Sequence, residues 1–143
     1  MLQFLKKSKK RSKLTKSGVS WYDASDIFQD LQEIVTTLNL KHINLEKVKV
    51  FRSIGSQSRA RARIWAFPRI WQQALNLPPH YIIEVLSEKF DHLSRDDKKR
   101  VLIHELLHIP KNFSGSLVSH RGRYHRINSR SVEMLFNLYR HKK

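Results

Sequence analysis

Two histidines four residues apart, His104 and His108, flank a glutamate, Glu105, in the run His-Glu-Leu-Leu-His. On a helix, side chains at i and i+4 lie on one face, one turn apart, so both imidazoles can reach a single ion. Glu105 falls on the flank of that face, placed to take a proton from a metal-held water without being a ligand. This is the HExxH arrangement: zinc lowers the pKa of its water to about 7 and polarises a carbonyl, and the glutamate works as general base. The residues around the motif, Val101, Leu102, Ile103, Leu106 and Leu107, are apolar. Two imidazoles and a carboxylate on a largely buried helix are costly unless paired or coordinated.

A catalytic zinc needs a third protein ligand. Six residues after His108, where a metzincin carries histidine, this chain has Ser114. The later candidates are His120, His125 and Glu133, in that order of preference, since His120 follows a loop long enough to fold back on the helix. His42, His80, His92 and His141 have no partner at ligand spacing.

Several elements must position these groups. Ile27, Leu31, Ile34, Val35 and Leu38 repeat with helical spacing over residues 24–38, with Asp23 or Ser25 as candidate caps. Residues 47–52 alternate as a strand does. Arg59, Arg61 and Arg63 alternate with Ala60, Ala62 and Ile64, which on a strand would line three arginines along one face as a candidate polyanion-binding ridge. A short helix over residues 69–75 is expected, with Trp65, Phe67, Ile70 and Trp71 in the core. Residues 81–86 read as a buried strand. Ser94 is a natural N-cap, with Asp96 and Asp97 in the first turn, for a helix running to about residue 109, where Pro110 stops it. A last helix covers residues 129–140.

The chain has 143 residues, 28 Lys+Arg against 12 Asp+Glu, a formal charge of +16 and no cysteine. The missing thiols exclude a disulfide framework, a thiolate metal site and a cysteine nucleophile, and fit a reducing compartment. Seven of the excess charges (Lys6, Lys7, Lys9, Lys10, Arg11, Lys13, Lys16) lie in a Lys/Ser-rich segment, so residues 1–19 are expected as a basic tail and residues 20–143 as one folded domain. The rest of the chain is basic too, and a charge of this size attracts polyanions. No apolar run approaches the ~20 residues of a membrane span, and no signal-peptide core follows Met1. The expected location is the cytoplasm.

The run at 101–110 (VLIHELLHIP), with 113–117 (FSGSL) and His120, resembles the phage-type metallopeptidase family, also found in archaea. Residues 52–56 (RSIGS), 62–64 (ARI) and 81–85 (YIIEV) extend the likeness over roughly residues 21–140. The resemblance implies a small α+β domain of zincin type, a mixed sheet packed on a zinc-binding helix, with the strand at 81–86 near that helix as the expected partner for an extended peptide. It implies His104 and His108 as ligands, Glu105 as base and His120 as third ligand. Residues 120–125 (HRGRYH) also loosely resemble the His-Gly and aromatic segment of SprT-like proteases, which act on DNA-bound proteins. Here Arg121 interrupts the His-Gly pair and no cysteine is present for a zinc ribbon.

The reading that follows is zinc-dependent hydrolysis of a peptide or protein substrate, with Tyr124, His125 or Arg123 as candidate oxyanion stabilisers. The competing reading is a basic nucleic-acid-binding protein with a structural or vestigial zinc site.

Overall fold

The computed structural model describes residues 18–122 and 126–143. The chain opens with strand β1 (Ser20–Asp23) and helix α1 (Ser25–Thr37), passes a 3-10 turn at Leu45–Lys47, and continues as β2 (Val48–Ile54) and β3 (Ala62–Ala66). Helix α2 (Arg69–Leu75), strand β4 (Tyr81–Leu86) and the single turn α3 (Ser87–Phe90) follow. Helix α4 (Arg95–Leu107) carries the histidine pair, and α5 (Ser129–Lys142) ends the chain. The result is α+β: one mixed four-stranded sheet with helices. Among the described residues, no helix is long and apolar enough to cross a membrane.

The strand order is β1-β2-β4-β3; β2 and β4 run parallel, the two outer pairings antiparallel. Alternation along each strand then sorts the side chains. Val48, Val50, Ile83, Val85, Ala62 and Ile64 share one face, and Leu31, Ile34, Leu102, Ile103 and Phe136 of α1, α4 and α5 bury against it. The opposite face carries Trp21, Lys49, Phe51, Ile82, Glu84, Arg63 and Trp65; Ser53, Glu84 and Leu86 on it are buried, but among the described residues it is open at Trp21, Trp65 and Ile82, which are 54%, 47% and 38% exposed.

Helix starts are built two ways. Ser94 caps α4 by accepting from the Asp97 N–H at 3.1 Å, above a first turn holding Asp96 and Asp97. Asn128 and Ser131 form a capping box on α5. Helix α1 has neither of the expected side-chain caps: its N-cap is Ala24, whose own N–H is bonded to the Val50 carbonyl at 3.2 Å. The sheet, one residue after β1 ends, fixes that junction.

Three further expectations are corrected. Trp65, Ile70 and Trp71 are exposed rather than core, Ile70 by 76%; α2 buries none of its residues. Residues 59–61 precede β3 rather than belonging to it, so the three arginines do not share one strand face. The Ser56 and Ser58 hydroxyls accept from the N–H groups of Ser58 and Ala60, holding this segment in turns. Finally, β4 is an inner strand with both neighbours in place, so it has no free edge for a peptide; the edge strands are β1 and, beside β4, β3.

Candidate metal centre

Helix α4 presents His104 one turn before His108, which is the helix C-cap. Beyond it, Pro110 lets the chain turn away, and the loop over residues 110–119 folds back beside the helix. Tyr81 anchors this return: its hydroxyl donates to the Ser116 carbonyl and accepts from the Gly115 N–H, both at 2.8 Å. Gln72 donates to the Phe67 and Ser114 carbonyls and ties the same loop to the segment after β3. Gly115 has φ +92°, and a Cβ there would stand 2.8 Å from the Phe67 carbonyl oxygen, so only glycine fits.

The returning chain carries His120 to the histidine pair. His104 Nε2 and His120 Nε2 are 3.1 Å apart, the ring centroids of the three histidines lie 4.5–5.2 Å from one another, and one ring nitrogen from each falls within 4.8 Å of the others. Three imidazole ligands on a tetrahedral zinc at ~2.0–2.1 Å would hold their nitrogens roughly 3.3 Å apart. The spacing therefore fits a small divalent ion with only minor ring adjustment.

The donor chemistry fits as well. His108 donates its Nδ1–H to the Val118 carbonyl at 2.6 Å, and Val118 N–H donates back to the His108 carbonyl at 2.8 Å. The first bond fixes the tautomer and leaves the Nε2 lone pair for a ligand. Burial, followed by the charges of His108 and His120, pushes His104 down to about 4, and burial also lowers His108. These imidazoles are thus neutral at ordinary pH, the form a metal requires. Glu105 is buried, and burial pushes its carboxyl up to about 7, a value suited to exchanging protons near neutrality.

All four groups line one cleft of about 920 Å³. Its other walls are Arg61 just ahead of β3, Ala62, Arg63 and Ile64 of β3, Leu117 and Val118 of the returning loop, and Val132 of α5. Glu133 also borders the cleft, but its carboxylate is held by Arg100 at 2.9 and 3.3 Å and is not one of the converging donors. Arg63 pairs with Glu84 at 2.9 Å, while Arg59 and Arg61 are exposed. Arg123, Tyr124 and His125 lie outside the described residues.

The sequence model of one family, described as "Putative phage metallopeptidase", matches residues 19–137, most of the chain. The chain belongs to this family. Comparison with curated proteins and with solved structures returned no match. The family match includes the whole sheet, the histidine helix and the returning loop.

Two parts of the centre have no signal in the sequence. The Val118 carbonyl is backbone, carried by any residue type, and the β3 edge follows from strand order. The Tyr81 hydroxyl was hidden inside an apolar strand pattern.

Proposed function

We propose that this protein is a zinc-dependent endopeptidase or exopeptidase that cuts an extended peptide lying along β3. One observation carries the reading: His104, His108 and His120 converge in the cleft that also holds buried Glu105 and the free edge of the sheet. His104, His108 and His120 would hold the ion, and zinc suits an all-imidazole set with room for a further ligand. When bound, zinc supplies Lewis acidity toward a water and the scissile carbonyl.

The residues of the chain do the rest. Glu105 accepts the proton of the attacking water and returns it to the leaving amine, a task its raised pKa serves. The edge strand supplies the substrate rail. The Leu86 N–H bonds to the Arg61 carbonyl at 2.9 Å, so by antiparallel alternation Arg61, Arg63 and Trp65 point their backbone groups at β4. Ala62 and Ile64 then turn N–H and C=O outward, along the cleft they line. Oxyanion stabilisation is assigned to Tyr124 or Arg123 on sequence position alone.

Elemental analysis of untagged protein, paired with a peptide-library digest, tests the reading. About one zinc per chain and cleavage that Glu105→Gln lowers by about 10²–10⁴-fold, with zinc retained, is the expected result. Absence of zinc, on purification and on titration, would overturn it.

A further inference from the structure

Apart from Arg63, the residues of the open sheet face do not line the metal cleft, yet they do not form an ordinary solvated strand face. Trp21 of β1, Phe51 of β2, Ile82 of β4 and Trp65 of β3 border a groove of about 430 Å³. Large apolar groups gathered on one exposed surface mark an interaction site rather than chance exposure. Four strands at ~4.8 Å spacing separate Trp21 from Trp65 by roughly 14 Å across the sheet, more than one aromatic ring can cover.

The floor of the groove is polar and charge-balanced. Glu84 is fully buried, with Arg63 donating to it at 2.9 and 3.2 Å and the Trp65 indole N–H at 2.8 Å. These bonds cancel the carboxylate charge and fix the orientation of Trp65. The Arg63 guanidinium also lies 5.2 Å from the Trp65 ring centre, a cation–π contact. Among the described residues, the cation set among the aromatics is Lys49, exposed and opposite Ile82; exposed Arg59 lies ahead of β3, and Asp23 at the end of β1 is the acid on the same face.

Charge selects among occupants. A second copy of a +16 chain would be repelled. An apolar protein surface would bury Lys49 without a partner. A single-stranded nucleic acid meets both features, because its bases stack on flat side chains while its phosphates take the cations. A duplex keeps its base faces inside the stack and could use only the cations.

We propose that the open sheet face, through Trp21 and Trp65, binds single-stranded nucleic acid by base stacking. The proposal rests on Trp21 and Trp65, neither of which lines the metal cleft.

The test is fluorescence anisotropy of a fluorescein-labelled oligothymidylate of about 15 nucleotides titrated with the full chain at ~0.15 M salt. Single strand should bind more tightly than a duplex of equal length. Trp21→Ala and Trp65→Ala should each raise Kd about 5- to 150-fold, while Trp21→Phe and Glu105→Gln leave it nearly unchanged. Trp65→Ala removes a bond to Glu84; should that variant fail to fold, exposed Trp21 decides the matter alone. An unchanged Kd in folded Trp21→Ala, or equal affinity for duplex and single strand, overturns the proposal in favour of charge-only binding. A change in self-association by light scattering, with no change in Kd, overturns it in favour of a protein-docking face.

Discussion

His108 and Val118 exchange two hydrogen bonds, ring Nδ1–H to carbonyl at 2.6 Å and N–H to carbonyl at 2.8 Å, so the returning loop and the end of the histidine helix are locked together. Val118→Pro deletes the N–H and strains the loop, which loosens His108 and displaces His120. Zinc affinity should fall about 10–100-fold, the usual cost of losing a group that orients a ligand. Val118→Ala keeps both backbone bonds and should bind as the parent does. Competition titration against a chromophoric chelator reads the difference.

Three imidazoles and one nearby carboxylate compete for the ligand roles, and their pairings separate them. His104→Ala, His108→Ala and His120→Ala should each drop the zinc content from about one per chain to near zero. Glu133→Gln should keep the metal, because Arg100 already holds that carboxylate. It should cost at most about 1 kcal/mol of stability, since the pair is half-exposed. Elemental analysis with a thermal melt checks both halves.

Ile64 turns its backbone outward on the edge strand. Ile64→Pro removes that N–H while an edge position tolerates the ring. Peptide kcat/KM should fall by about tenfold, the worth of one hydrogen bond near the top of its usual range, with zinc content unchanged. Loss of zinc in this variant would mean that the strand supports the metal helix rather than the substrate.

Burial raises the Glu84 pKa, but the Arg63 and Trp65 donors outweigh it and hold the carboxyl below its ordinary value of 4.5. A depressed folded-state pKa contributes stability that is present above 4.5 and lost as pH falls through the lower folded value. Arg63→Ala should cost about 2–3 kcal/mol at neutral pH, less than a fully buried pair because Trp65 still donates. With burial then dominant, the sign reverses: that variant should lose stability as pH rises through the carboxylate range. Urea unfolding of both proteins between about pH 3 and pH 7 measures the two slopes.

Local chemistry made much of this protein legible in its sequence. The i, i+4 histidines, the Ser94 cap and the Pro110 stop are short-range signals, and each governs backbone within a few residues of itself; α4 forms where they place it. The amphipathic repeat of α1, the alternation of β2 and the apolar run of β4 reflect what must meet the core, and they too were readable. The preference for His120 rested on loop length, and the chain does return it to His104. What one element's sequence cannot hold is its neighbour in space. Strand order made β4 an inner strand and β3 an edge, which moves the proposed peptide rail from one to the other. Among the described residues, α1, α4 and α5 pack on one face of the sheet, so Trp65, apolar and expected in the core, stands exposed on the other, while charged Glu84 lies buried beneath it with Arg63. Hydropathy describes a residue's preference; which surfaces remain available to satisfy it is decided only when the whole chain packs.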